Sequence, residues 1–227
     1  SIFRRKVDRN TERNEMTPEQ ASEKNRALCL MAPVVPVLVV DDASKAAGLA
    51  QALVAGGLPA LEVTLRTPAA LDVISEMATV PGGVVGAGTL LTPKDVEDAK
   101  AAGAVFGVAP GATDRLLDAC EANDLPLLPG AATATEAMAL LERGYTVQKF
   151  FPAEATGGAP ALKAIGAPLP QVSFCPTGGI SLANAQSYLS LPNVTCAGGS
   201  WIAPQNLITA GKWSEIEALA REAAGLK

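Results

Sequence analysis

From residue 34 onward one unit recurs eight times: a short apolar or β-branched run, a punctuation of Gly, Pro, Thr or Asp, then an Ala/Leu-rich stretch with helical spacing. The runs cover 34–40, 60–66, 84–89, 105–109, 125–128, 146–151, 171–175 and 194–197, and their length and composition mark them as strands. Strict alternation implies a parallel sheet, because every parallel pairing needs a crossover, and eight such units in about 200 residues fit a single α/β domain of the (βα)8 TIM-barrel type. A doubly wound open sheet is the alternative. Local chemistry agrees with the period. Thr67-Pro68 and Thr92-Pro93 place a capping hydroxyl before a proline at the first helical position, Thr133 to Glu136 fits a capping box, and Gly56-Gly57, Gly103 and Gly144 mark helix exits.

Residues 1–16 are charged and aperiodic, and Met16-Thr17-Pro18-Glu19-Gln20 reads as a start followed by a capped helix. The expected division is a disordered or vector-derived extension over 1–16, then one domain over 17–227 with an N-terminal helix ahead of the barrel. A chain of 227 residues that is 48% hydrophobic can bury one sizeable core. Its net charge of −5 and lack of a basic cluster argue against nucleic acid or an anionic membrane as partner, which leaves a small molecule. The apolar run from Met31 to Val40 stops short of the roughly 20 residues that span a bilayer, and no secretory apolar core precedes it, so a cytoplasmic location is expected.

Absent residues narrow the chemistry. The chain has no histidine, which removes Ser-His-Asp triads, Cys-His dyads and imidazole-ligated zinc together. Cys29, Cys120, Cys175 and Cys196 are widely spaced and read as buried free thiols. No metal or cofactor is called for, and acid–base work falls to carboxylates, lysines or water.

In the second run, a period of two sets Leu61, Val63 and Leu65 on one face and Glu62, Thr64 and Arg66 on the other. With the apolar face against helices, a carboxylate, a hydroxyl and a guanidinium point into the barrel or its mouth. Either Glu62 and Arg66 satisfy each other there as an internal ion pair, or they face a ligand. The same parity in the sixth run puts Val147, Lys149 and Phe151 inward. An inward lysine is either a strand-end side chain snorkelling to water or a nucleophile. An ordinary amine of pKa about 10.4 is neutral in only about one molecule in 2,500 at pH 7, and burial is the general means of raising that fraction. Glu62 would supply the proton acceptor that imine chemistry requires.

Two glycine-rich turns follow the seventh and eighth runs, Thr177-Gly178-Gly179-Ile180-Ser181 and Gly198-Gly199-Ser200. Either they are tight turns only, or their N–H groups, with a helix opened by Ser181, cradle a phosphate at the position where barrels often hold one. Gly86-Ala87-Gly88-Thr89 lacks the third glycine of a dinucleotide fingerprint. Thr89 there reads as a hydroxyl facing the ligand.

With these residues in hand, the chain resembles the 2-keto-3-deoxy-6-phosphogluconate (KDPG) aldolases, which often also cleave 4-hydroxy-2-oxoglutarate. The resemblance runs from about residue 28 to the C-terminus and is carried by Leu61 to Thr67, Gly86 to Thr89, Lys149 to Glu154, Phe174 to Gly179 and Gly198 to Trp201. It implies a class I aldolase without cofactor, acting on a phosphorylated keto-acid and assembled as a homotrimer. Lys149 would form the imine and Glu62 act as general acid–base. Arg66, Thr89, Pro110, Phe151 and Thr177 would line the keto-acid pocket, and Gly178, Gly179, Gly199 and Ser200 would hold the phosphate. Two other outcomes stay open: a phosphosugar isomerase with Glu62 as base and Lys149 as a clamp, or a barrel that binds a phosphometabolite without turnover.

Overall fold

Parallel strands form at each of the apolar runs in the computed structural model, which describes residues 15–226. They are β1 (Val34–Leu38), β2 (Ala60–Thr64), β3 (Val84–Gly88), β4 (Phe106–Val108), β5 (Leu127–Leu128), β6 (Gly130–Ala131), β7 (Val147–Phe150), β8 (Ser173–Pro176) and β9 (Ala197–Gly199). Two differ from expectation. The fifth run, 125–128, pairs only over β5, and a further short strand, β6, follows it beyond Pro129, which has no N–H for a ladder, although its carbonyl still accepts from Lys149 N at 2.8 Å. The eighth run pairs regularly only from Ala197, with a single bridge between Val194 and Phe174 before it.

Six strands pair in the order β5-β4-β3-β2-β1-β9 and three in the order β6-β7-β8. Isolated parallel bridges, Phe174 to Val194 and Thr177 to Gly198, run between the β8 and β9 segments. The result is an α/β fold with a curled parallel sheet. The helices are α1 (Pro18–Cys29), α2 (Ala46–Ala55), α3 (Ala70–Met77), α4 (Pro93–Ala101), α5 (Asp114–Ala122), α6 (Ala134–Arg143), α7 (Gly158–Gly166), α8 (Ala185–Leu189), α9 (Gln205–Ala210) and α10 (Trp213–Ala224). No described helix is long and apolar enough to cross a membrane.

Thr17, Thr92 and Thr133 each close a capping box, with Gln20, Asp95 and Glu136. Thr67-Pro68 does not. The Thr67 hydroxyl donates to Val40 O at 2.7 Å instead, and α3 starts at Ala70 with no side-chain cap. A long-range partner thus overrides the local capping signal. Of the expected extension, residues 1–14 lie outside the described part; Met16 is buried, and its N–H donates to Glu121 O at 3.2 Å.

Strand alternation divides the core in two. Outward residues such as Leu61, Val63 and Phe174 pack with helix residues including Leu49, Leu53 and Ile74. Inward residues Val35, Ala60, Phe106, Val108, Leu128, Val147, Cys175 and Cys196 form a second cluster, closed by Leu28 and Cys29 of α1. The N-terminal helix therefore seals the end where the strands begin. Asn25 on the same helix donates to Leu127 O at 2.6 Å. All four cysteines are buried and free.

Candidate active site

Two residues further along the strands, this apolar interior turns polar. On β2 the inward series runs Ala60, Glu62, Thr64; on β7 it runs Val147, Lys149 and then Phe151. Lys149 Nζ donates to Glu62 Oε1 at 3.5 Å, and the two residues are only 5% and 3% exposed. Burial pushes the Glu62 carboxyl above its ordinary pKa, and the Lys149 charge opposes that rise. A carboxyl that burial makes readier to hold a proton, beside an amine, is suited to exchange protons with a bound ligand. The Phe151 ring lies beside the amine, its centroid 5.2 Å from Nζ.

The glycines of β3 explain how so large a polar group fits. A Cβ on Gly88 would lie 2.4 Å from Glu62 Oε1, and one on Gly86 would meet the Phe106 ring, so the two glycines clear space for side chains. Thr64 is anchored by donating to Leu38 O at 2.9 Å. Thr89, at the end of β3, holds φ at 61°, a left-handed conformation costly for a β-branched residue, of the kind found at functional sites.

Above the pair opens a cavity of about 280 Å³, just below the roughly 300–1,000 Å³ typical of ligand pockets. Glu62, Lys149, Arg66, Thr89, Pro110, Phe151 and Thr177 line it, together with Gly178, Gly179, Gly199 and Ser200. The residues that the resemblance assigns to catalysis, the keto-acid pocket and the phosphate therefore meet in one place. Among the described residues no three His, Cys, Asp or Glu side chains group to hold a metal ion.

Of the two readings left open for Glu62 and Arg66, the structure excludes the internal ion pair, and one expectation, at Ser181, is not met. The buried partner of Glu62 is Lys149, and among the described residues Arg66 makes no ion pair, so the internal Glu62–Arg66 pair does not form. Ser181 does not open a helix: its N–H donates to Asn184 Oδ1 at 2.8 Å, and α8 begins only at Ala185. The helix end is displaced because Asn184 satisfies the turn first. Val37, Thr64, Ile180 and Gly198 also line the cavity without having been assigned to it. Thr64 follows from the parity of β2 and Gly198 from its Gly-Gly-Ser turn. Val37 carries no signal, since its strand is apolar on both faces.

The KDPG and KHG aldolase family model matches residues 26–219. The chain belongs to this family. Among KDPG aldolases, it is 55% identical over 192 residues to the 2-dehydro-3-deoxy-phosphogluconate aldolase of Pseudoalteromonas atlantica, covering 84% of this chain and 89% of the relative. The KDPG aldolase of Zymomonas mobilis ZM4, solved with 3-phosphoglycerate, superposes with a TM-score of 0.86 at 48% identity, covering 91% of this chain and 97% of that one. The KDPG aldolase of Legionella pneumophila, solved with pyruvate captured as a covalent carbinolamine, gives a TM-score of 0.85 at 47% identity, covering 88% and 98%.

Proposed function

We propose that this protein is a class I aldolase that cleaves KDPG to pyruvate and glyceraldehyde 3-phosphate and also acts on 4-hydroxy-2-oxoglutarate. The observation that carries the reading is the buried amine–carboxyl pair at the floor of the cavity, Lys149 Nζ 3.5 Å from Glu62 Oε1.

Lys149 Nζ attacks the C2 ketone to give a carbinolamine, and Glu62 delivers a proton to the departing hydroxyl, which leaves as water. The resulting iminium draws the electron pair of the C3–C4 bond as Glu62 removes the C4 hydroxyl proton. Glyceraldehyde 3-phosphate leaves, and the enamine takes a proton at C3. Hydrolysis of the imine releases pyruvate and restores the free amine. Arg66 binds the carboxylate through its planar fork, with Thr89, Pro110, Phe151 and Thr177 around the keto-acid. Gly178, Gly179, Gly199 and Ser200 receive the phosphate.

The reading includes three structural expectations. Residues 17–227 form one domain whose two sheets close into a single eight-staved barrel, supported by the bridges from Phe174 and Thr177 across to the β9 segment. The assembly is a homotrimer, which light scattering tests directly. The setting is cytoplasmic, in keeping with four free thiols.

Incubation with pyruvate and borohydride should add a pyruvate-derived mass to the peptide containing Lys149. Absence of the adduct would sink the imine assignment and leave Lys149 as an electrostatic clamp. Turnover of KDPG by Glu62→Gln at the unsubstituted rate would discredit the acid–base role.

A further inference from the structure

The turn over Thr177, Gly178 and Gly179 is held from outside the cavity, and that anchoring fixes what faces inward. Three successive carbonyls each accept a hydrogen bond. Ala153 N donates to Thr177 O at 2.8 Å, Glu154 N to Gly178 O at 3.0 Å, and Asn184 Nδ2 to Gly179 O at 3.1 Å. A trans peptide points its N–H opposite to its C=O. Pinning the Gly178 and Gly179 carbonyls outward therefore aims the N–H groups of Gly179 and Ile180 toward the cavity that both residues line. Among the described residues those two N–H groups have no acceptor, and the glycines hold φ at 104° and 76°. Successive N–H groups converging in this way form an anion-binding concavity.

Glycine peptides turn over easily, so the anchors carry the precision. Glu154 is fixed by its own side chain, whose Oε1 accepts from the hydroxyl of Tyr188, a fully buried residue of α8. The methylenes of Glu154 lie so close to Gly179 that a Cβ there would come within 2.7 Å of them. Asn184 is braced in turn, accepting from Ser181 N at 2.8 Å. None of these three side chains lines the cavity.

We infer that Glu154, Tyr188 and Asn184 are positioning residues that hold the Gly178–Gly179 peptides with their N–H groups aimed at the phosphate, and so set the preference for phosphorylated over unphosphorylated keto-acids. The inference rests on reading the cavity as a phosphorylated keto-acid site. It gives a role to Glu154, which ends the Lys149-to-Glu154 motif but does not line the cavity.

The test compares Glu154→Ala, Tyr188→Phe and Asn184→Ala with the unsubstituted protein on KDPG and 4-hydroxy-2-oxoglutarate, and measures inorganic phosphate binding by calorimetry. KM for KDPG should rise about tenfold, the scale of one lost charge-assisted hydrogen bond, with phosphate binding weakened alike. The kcat and the KM for 4-hydroxy-2-oxoglutarate should hold, and Glu154→Gln, which keeps an acceptor for Tyr188, should restore KDPG affinity. Equal loss on both substrates, or phosphate binding unchanged in all three variants, overturns the positioning role. A separate result, an unsubstituted protein that binds phosphate but cleaves no phosphorylated keto-acid, would instead overturn the functional reading.

Discussion

Replacing Lys149 with Met should make stability depend more steeply on pH. In the native protein burial raises the Glu62 pKa and the nearby Lys149 charge restrains it. Lys149→Met removes the restraint and keeps an apolar chain of similar length, so the carboxyl holds its proton to higher pH. A folded pKa above the unfolded value, about 4.3 for Glu, makes a contribution that is complete below that value and fades as pH climbs through the folded one. Between the two, the native state binds up to one more proton, and stability falls by at most about 1.4 kcal/mol per pH unit. From pH 5 to pH 7 the variant should therefore lose up to about 2.7 kcal/mol relative to the unsubstituted protein, or about 5–10 °C of Tm for a domain of this size. Urea unfolding at half-unit pH intervals reads the difference curve. The double variant Lys149→Met/Glu62→Gln should flatten it again. A difference curve already flat for the single variant, or a slope surviving in the double one, would refute a desolvated Glu62–Lys149 pair.

Gly88→Ala places a methyl 2.4 Å from Glu62 Oε1, so turnover should fall at least about tenfold through misplacement of the carboxyl, alongside about 1–3 kcal/mol of destabilisation from overpacking; a fully active variant would mean the carboxyl is not held where Gly88 makes room for it. Glu121 accepts from Arg143 Nε and from the buried Tyr145 hydroxyl, both at 3.0 Å, and is itself 19% exposed on its side chain. Glu121→Ala should therefore cost about 1–3 kcal/mol in urea unfolding, the range for stranding buried partners. Asp114→Ala, at the 94% exposed end of the same Arg143 cluster, should change nothing measurable. Thr133→Ala should cost about 1 kcal/mol as a lost N-cap, with kcat unaffected, since the capping box lies outside the cavity.

How far the site could be read in advance varied strand by strand, for a definite reason. In β2 the two faces differ in chemistry, so parity alone identifies Glu62, Thr64 and Arg66 as a set. In β1 both faces are apolar, and Val37 has nothing to distinguish it from Val35 below it or from the outward Leu38. Caps were legible where their partner lies three residues on, as at Thr92 with Asp95. They misled where another group competes: the distant Val40 O draws the Thr67 hydroxyl away from α3, and the nearby Asn184 takes the turn that Ser181 was expected to open. Glu154 showed the limit from another side, since a carboxylate ending a motif carries no mark of whether it meets a ligand or a tyrosine.

The order of residues by itself determined the alternation of strand and helix, the inward parity of Lys149 and Glu62, most of the caps, and the lack of any imidazole chemistry. These depend on neighbours within one strand or one helical turn. Only the tertiary structure decided that Lys149, rather than Arg66, is the buried partner of Glu62 across 87 residues of chain. The same holds for Gly88 as the space that admits the carboxyl, and for the outward anchoring of the Gly178–Gly179 carbonyls. Which charges meet, and which N–H groups face the cavity, depends on the register and curl of the sheet. Those are set by how all the strands pack at once, and no local window of sequence contains them.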